Sequence, residues 1–133
     1  MKRILAFVSV AVAVLAGAGP AHAAMDSNCY LNTPQPTTDG VNVYFTASVS
    51  CSTYMDNTAV QAGARILERN AAGYYETRAG WAYAYSGGTT YLPKSRSYNC
   101  NGNGTDTYRG TGYGKTSDNG SQTKEGSSRS LTC

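Results

Sequence analysis

The chain has 133 residues, of which 14% are charged. Its formal net charge of +3 is too small to indicate a binding surface for nucleic acid or for anionic membranes. The length suits one domain with a short targeting segment.

Residues 1–23 have the layout of a secretory signal peptide. Lys2 and Arg3 stand near its start, a mostly apolar run follows, and the segment ends in the A-x-A pattern at positions 21–23. The apolar run is shorter than the ~20 residues that a membrane-spanning helix needs. We therefore expect a secreted, extracellular protein with no membrane attachment after cleavage. Its mature domain would be residues 24–133, in which nine basic and eight acidic residues leave a net charge of +1.

After this segment the hydrophobic pattern has period two almost throughout, and no stretch has helical periodicity. Short strands separated by turn signals predict an all-β fold, an antiparallel two-sheet sandwich of the immunoglobulin-like kind with about seven strands. Within it, Gly87-Gly88 is expected to end one strand, and Pro93 indicates a sheet edge or a bend. Besides a strand around Cys29, we expect strands at residues 41–51, 59–69, 74–86, 89–100, 106–117 and 121–132.

All four cysteines lie in the mature domain, and an even number in a short exported chain predicts two disulfides. Cys29 and Cys51 are symmetric about Gly40, so they could face each other across the first hairpin. A hairpin near the C-terminus brings Cys133 opposite Thr105, close to where Cys100 leaves its loop. Four cysteines allow three connectivities. We favour the pairs Cys29–Cys51 and Cys100–Cys133 over a bridge from Cys51 to Cys100.

A zinc site is not expected, because there is no C-x-x-C pair and no histidine after position 22. The segment NGNGTD, residues 101–106, has some alternating oxygen ligands of a calcium loop. It lacks the several carboxylates and the bidentate Glu of such loops, and Gly112 stands where that Glu would fall. We therefore expect a plain turn there, and no metal or cofactor.

Several segments together resemble a known group of proteins. These are the strand VNVYFTASVSC, the strand–turn–strand AGARILERNAAGYYET, the segment TYRGTGYG and the terminal SLTC. They resemble small exported β-sandwich proteins of actinobacteria that have an immunoglobulin- or fibronectin-III-like architecture. The resemblance implies a fold and a compartment, and it transfers no site residues. The Cys…Trp…Cys spacing of antibody domains is absent, since Trp81 lies too far from the candidate strand cysteines.

Three glycines alternate along one face of a predicted strand, at Gly110, Gly112 and Gly114. The residues between them suit solvent, so we expect the glycine face to look inward. A row without side chains leaves a trough that a close-packed core must fill. We predict that aromatic rings lie over it. Trp81, Tyr83 and Tyr85 share one face of residues 79–86, and Trp81 and the tyrosines are the leading candidates for those rings. The alternative is an open, aromatic-lined groove for a ligand.

The mature sequence offers little for catalysis. Without a histidine it cannot build a Ser-His-Asp or Cys-His centre, and oxidised cysteines leave no thiolate. Glu68 and Glu76 are symmetric about a predicted turn, but we expect a charged strand end in which Arg65, Arg69 and Arg78 neutralise them. The sequence therefore predicts a protein that is not an enzyme.

Tyrosine is abundant in the mature domain, with eleven residues. Its flat apolar ring and its hydroxyl suit sugar stacking and protein interfaces. The candidate binding residues are Tyr44, Tyr74 and Tyr113, which have outward positions in the pattern, together with Trp81. We expect a non-enzymatic binding domain whose partner is an extracellular protein or a cell-wall or environmental polysaccharide.

The alternative function is inhibition of a secreted hydrolase. Residues 93–100 form a basic segment with a proline at one end and a predicted disulfide at the other. If this segment is a rigid loop, Lys94 or Arg96 could fill a trypsin-like specificity pocket.

Overall fold

A computed structural model describes residues 25–116 and 120–133, with the side chains of residues 53–59 excepted. The described chain is an antiparallel all-β structure that contains no helix, and thus none that could cross a membrane. Its seven strands are β1 (Cys29–Asn32), β2 (Thr37–Thr38), β3 (Asn42–Arg69), β4 (Tyr75–Asn99), β5 (Thr105–Thr116), β6 (Ser121–Glu125) and β7 (Arg129–Thr132).

Strands β3 and β4 are much longer than the sequence predicts, at 28 and 25 residues. Each joins two segments that we expected to be separate strands. Gly87-Gly88 does not end β4, because Gly87 stays paired with Ala59 of β3 and Gly88 takes a positive φ of 63°. Register shifts between Ser50 and Ala59 accompany this irregular region, so the ladder continues through it.

The seven strands are all connected in one hydrogen-bonded antiparallel sheet. Because β3 and β4 run through the irregular region, the sheet has two arms. We call the first arm the part made of β1, β2, residues 42–51 of β3 and residues 89–99 of β4. The second arm consists of residues 60–69 of β3, residues 75–86 of β4, and β5, β6 and β7.

The core lies between the inner faces of the two arms. The first arm contributes Val43, Phe45 and Val49, all of them buried. The middle of the second arm is lined by small residues, because inward Ala62 and Ala64 pair with Ala84 and Ala82 of β4, whereas the larger buried side chains Val60, Ile66 and Tyr108 lie on either side of them. Large side chains on one arm thus fill the space that small ones leave on the other.

The glycine row faces inward as expected, but only one aromatic ring covers it. Phe45 lies directly over Gly110, whereas Gly112 faces Leu31, Thr33 and Ala47, and Gly114 faces Met25 and Val49. Trp81 and the neighbouring tyrosines of β4 do not cover the row. They occupy the alternate positions of β4 that point outward, because the alanines between them take the inward positions.

Two disulfides join strands of the sheet: one links β1 to β3, and the other links the end of β4 to the residue after β7. They are the two pairs that the sequence analysis favours. Cys29 and Cys51 are directly opposed on β1 and β3, and Cys100 is bonded to Cys133. The Cys133 N–H donates to Gly104 O at 2.9 Å, one residue from the predicted partner position. The expected strand 121–132 is interrupted after Glu125 and continues as β7.

Two other predictions concern turns and edges. Asn70 closes the turn before β4, where its side-chain oxygen accepts from the N–H groups of Ala72 and Tyr74 at 3.0 and 2.9 Å. Pro93 lies in β4, which pairs only with β3 and is therefore an edge strand. The predicted hairpin turn at 118–120 falls mostly outside the described residues.

Candidate binding surface

Four aromatic side chains lie together on the outer face of the second arm, and we call them the aromatic platform: Trp81, Tyr83 and Tyr85 of β4, and Tyr113 of β5. The rings of Trp81 and Tyr83 are 5.9 Å apart and inclined by only 14°. Tyr113 meets both of them edge-on, at 6.2 and 5.8 Å. Tyr85 extends the row, with its ring 6.5 Å from that of Tyr83.

The platform depends on a glycine of the central strand. Gly63 of β3 pairs with Tyr83 on one side and with Tyr113 on the other. A Cβ at position 63 would lie 2.8 Å from ring carbons of Tyr83, closer than packed atoms allow. The missing side chain therefore lets the Tyr83 ring lie directly on the β3 backbone, as rings over strand glycines do in other sheets.

Two rings of the platform are half-buried and two are exposed to solvent. Trp81 and Tyr113 are half-buried, whereas Tyr83 is 40% exposed and Tyr85 is 70% exposed. The Gln61 amide donates to the Tyr85 hydroxyl at 3.0 Å, which helps to hold that ring in place. Such a surface offers apolar ring faces together with hydroxyl and amide groups.

Two arginines lie beside the platform on the same face. The Arg65 guanidinium carbon is 4.8 Å from the Trp81 ring centroid, and Arg65 pairs with Thr111 across β3 and β5. The Arg109 guanidinium stacks on Tyr75 at 3.8 Å and donates to the Glu125 carboxylate at 2.9 Å. Among the described residues, the ion pairs involve Arg78 and Arg109 but not Arg65.

An open cavity of about 620 Å³ adjoins Tyr113. It lies between the first residues of the described chain and strand β6. Polar groups supply much of its wall, notably those of Asp26, Ser27, Ser121, Gln122 and Thr123. The platform is therefore continuous, through Tyr113, with a space lined by hydrogen-bonding groups.

Of the four candidate binding residues, Trp81 and Tyr113 come together in the platform, and Tyr44 and Tyr74 lie elsewhere. Tyr74 is 73% exposed at the turn before β4. Tyr44 lies on the outer face of the first arm, and its hydroxyl donates to Asp39 at 2.7 Å. The Asn42 N–H, the Tyr44 hydroxyl and the Val41 N–H lower the pKa of Asp39 to about 2.

Sequence reasoning placed Tyr83 and Tyr85 on the same strand face as Trp81 but took that face to look inward. It also gave no binding role to Gln61 or Arg65. The outward orientation of Tyr83 and Tyr85 could have been predicted from small residues that pair across two strands. An Ala-x-Ala run in each of two paired strands can fill an inner face and leave the aromatic positions outward.

Residues 93–100 do not form the loop that the inhibitor hypothesis needs. They belong to the last part of β4 and run as a strand up to Asn99. Lys94 and Arg96 pair opposite Ala47 and Phe45 and are half-buried, and the Arg96 Nε donates to Gly80 O at 2.9 Å. A strand with inward-turned cations lacks the projecting geometry of a substrate mimic.

The carboxylates of Glu68 and Glu76 are opposed across β3 and β4, as their symmetry predicts. Arg78 contacts both, at 2.8 Å from Glu68 and 3.4 Å from Glu76. Burial raises the pKa of Glu68, and Arg78 opposes that rise. This arrangement is a charged strand end with its own counterion.

The segment 101–106 is a turn followed by the start of β5, and Gly102 and Gly104 have the positive φ values of 81° and 76° that turns require. No cluster of three or more His, Cys, Asp or Glu side chains suited to a metal occurs in the part of the chain that the structure describes.

Comparisons with known proteins give structural neighbours only. No family model matches the chain, and no curated protein matches it. A solved structure titled as Northeast Structural Genomics Consortium target SoR45 is 9% identical with a TM-score of 0.41, covering 81% of this chain and 88% of that one. Beta-glucosidase 3B from Thermotoga neapolitana, in complex with glucose, is 12% identical with a TM-score of 0.31. That match covers 78% of this chain and 16% of the glucosidase chain.

Proposed function

We propose that this protein is an exported, non-catalytic binding module whose aromatic platform binds a polysaccharide. One observation carries the proposal. Four neighbouring rings lie on the outer face of a sheet, and two of them, Tyr83 and Tyr85, are 40% and 70% exposed. Solvent-facing aromatic clusters of this kind are typical of interaction surfaces.

A polysaccharide suits the platform better than a protein does. Sugar rings present apolar C–H faces that stack on aromatic rings, while their rims carry hydroxyls that need hydrogen bonds. Trp81 and Tyr83 supply nearly parallel rings, and Gln61 and the tyrosine hydroxyls supply polar groups beside them. The cavity next to Tyr113 has both apolar and polar lining residues, as a sugar-binding surface would need.

The remaining chemistry favours binding over turnover. All four cysteines are disulfide-bonded, and the mature sequence has no histidine. The opposed Glu68 and Glu76 share Arg78 as a counterion, which suits structure rather than general acid–base catalysis. Two disulfides also favour an oxidising compartment, in keeping with the expected signal peptide.

We further propose that the two arms are equivalent to the layers of an immunoglobulin-like sandwich. The support is their face-to-face packing, in which Phe45 of the first arm lies over Gly110 of the second. The continuous strands β3 and β4 would then correspond to strands that pass from one layer to the other.

Trp81 is the only tryptophan in the chain, so its fluorescence reports on the platform directly. We expect soluble polysaccharide to shift or quench the emission of the disulfide-bonded protein. Replacing Tyr83 by Ala should weaken binding tenfold or more, as loss of a central aromatic contact does at interfaces. The matched control is Tyr91→Ala, which removes a ring that is 56% exposed on the outer face of the first arm.

Retention of wild-type polysaccharide affinity in Tyr83→Ala would contradict the platform. So would equal losses in Tyr83→Ala and Tyr91→Ala. If a panel of polysaccharides leaves Trp81 emission unchanged while a secreted protein shifts it, the platform is a protein interface and the polysaccharide proposal is wrong.

A further inference from the structure

We propose that the polysaccharide is anionic, and that Arg65 binds a carboxylate on its sugar units while the neighbouring rings stack on their faces. This inference rests on the proposed function and adds the class of ligand. Three features support it: the contact of Arg65 with Trp81, the missing partners of Arg65 and of its neighbour Thr111, and the positive charges at both ends of the platform.

Arg65 is held in place and has no counterion among the described side chains. Its guanidinium lies 4.8 Å from the Trp81 ring centroid, a cation–π contact that orients the planar group. Of the carboxylates whose side chains the structure describes, which leaves out residues 53–59, none lies within ion-pair distance of it. An arginine beside an aromatic surface without an acid partner can bind an anion from outside.

Buried donors at the same place also lack partners. The Nε of Arg65 is shielded from solvent and makes no hydrogen bond with the described residues. Thr111, which pairs with Arg65 across the ladder, is completely buried, and its hydroxyl has no hydrogen-bond partner among the described residues either. Buried polar groups without partners are uncommon in folded proteins and call for an explanation. The Nε of Arg109 on the same face is in the same state, so the missing ion pair is what distinguishes Arg65 from it.

Arg109 provides an internal comparison, because it lies on the same strand face two residues from Thr111. Its guanidinium stacks on Tyr75 and also pairs with Glu125 at 2.9 Å. One of the two arginines is therefore neutralised within the protein, and the other is not. This difference assigns the anion to Arg65 rather than to Arg109.

A second cation lies at the other end of the platform. Lys115 pairs with Gln61 across β3 and β5 and is exposed, with no ion pair among the described residues. It is four residues from Thr111 along β5, which corresponds to about 13 Å at the rise of an extended strand. Among the described residues of this face, the acid that contacts an arginine is Glu125, which pairs with Arg109. The platform is thus flanked by positive charge at both ends and suits an extended polyanion.

A carboxylate-bearing sugar fits both parts of the site. The guanidinium fork matches a carboxylate through two parallel hydrogen bonds, and such charge-assisted bonds are stronger than neutral ones. A pyranose ring with a carboxylate on its rim can stack on Trp81 or Tyr83 while the carboxylate reaches Arg65. Sulfated sugars present an anion of similar size, so the experiment must separate them.

The test compares polymers that differ only in charge. Polygalacturonate and alginate are titrated against the disulfide-bonded protein, each as the free acid and as its methyl ester, with Trp81 emission as the signal. We expect the free acid of at least one polymer to bind roughly tenfold tighter than its ester, the value of one charge-assisted interaction. The preference should fall as salt is added, because exposed charges are screened.

Arg65→Gln should abolish the preference for the free acid over the ester, because the carboxylate loses the cation that binds it. Arg65→Lys keeps the charge without the fork and should retain part of the preference. Arg129→Gln, which removes an exposed cation on β7, is the matched control and should behave as the wild type. Far-ultraviolet circular dichroism verifies that each variant is folded.

The outcomes separate the two proposals. Equal binding of free acid and ester overturns the anionic ligand but leaves the polysaccharide function standing. Binding of dextran sulfate in preference to both carboxylated polymers overturns the carboxylate assignment. Binding of single-stranded DNA in preference to every polysaccharide, or no response to any polymer, overturns both proposals.

Discussion

At the scale of single residues, backbone geometry and one hydroxyl determine the charge state of Asp39. Its carboxylate accepts from the N–H groups of Val41 and Asn42 at 2.9 and 2.7 Å, and from the Tyr44 hydroxyl at 2.7 Å. These bonds favour the ionised form and lower the pKa of Asp39 from 3.8 to about 2. Tyr44, a candidate binding residue in the sequence, therefore has a structural partner.

We predict that Tyr44→Phe raises the pKa of Asp39 from about 2 part of the way towards 3.8, because two backbone donors remain. The measurement is an NMR titration of the Asp39 carboxyl carbon, with Tyr74→Phe as the control. Since the folded pKa is depressed, the stability that Asp39 contributes is present above its unfolded pKa and is lost as the pH falls towards 2. An unchanged pKa in Tyr44→Phe would show that the hydroxyl does not act on this carboxylate.

The glycine row makes a second prediction at this scale. A Cβ at Gly110 would overlap the Phe45 ring, which is buried and cannot move aside without disturbing the core. Gly110→Ala should therefore lower the free energy of unfolding by about 1–3 kcal/mol, the usual cost of overpacking. Chemical denaturation of the variant and the wild type measures this change in the free energy of unfolding.

Gly80→Ala is the matched control for Gly110→Ala, because nothing lies within 4 Å of the position that its Cβ would take. It should leave stability unchanged or raise it slightly, since it reduces the freedom of the unfolded chain. Equal stability of the two variants would mean that the two arms do not pack at Gly110.

At the scale of elements, strand positions were predictable because period two is a local signal. Apolar and polar residues alternate in residues 41–51, and the apolar Val43, Phe45 and Val49 are buried in the structure. The continuity of β3 and β4 was not predictable. Gly87 remains paired because of long-range contacts with β3, whereas glycine pairs usually end strands.

The same limit explains why the candidate site was found only in part. The alternation of positions along a strand shows which residues share a face, but it does not show which of the two faces is buried. Trp81, Tyr83 and Tyr85 were grouped correctly and oriented wrongly, because orientation depends on alanines that meet across two strands. Arg65 had no distinguishing local pattern, and its significance comes from Trp81 and Thr111 in space.

The disulfide at the C-terminus gives a prediction at this scale. Cys100–Cys133 closes a loop with a sequence separation of 33 and ties the end of β4 to the last residue of the chain. Replacing both cysteines by Ala should lower the free energy of unfolding by about 3–4 kcal/mol, because the unfolded chain regains the entropy that the bond removes. Guanidinium chloride unfolding, compared with the wild type, measures the loss. Unchanged stability would mean that this bond does not constrain the unfolded chain.

At the scale of the whole molecule, the inner face of the second arm packs in the core and its outer face carries the proposed binding surface. The middle of its inner face is lined by alanines and glycines, so Phe45, Ala47 and Val49 of the first arm can pack closely on it. Its outer face carries the aromatic platform and Arg65, which has no ion pair among the described side chains. The same alternation of residues along β4 produces both faces, so packing and the proposed recognition arise from one pattern.

The most direct measurement is a map of amide chemical-shift changes in the ¹⁵N-labelled, disulfide-bonded protein during titration with the polysaccharide that it binds best. If the polysaccharide binds at the platform, the changes should concentrate in residues 61–65 of β3, 81–85 of β4 and 111–115 of β5. Changes concentrated on the first arm around Tyr44, or along residues 93–99, would contradict it.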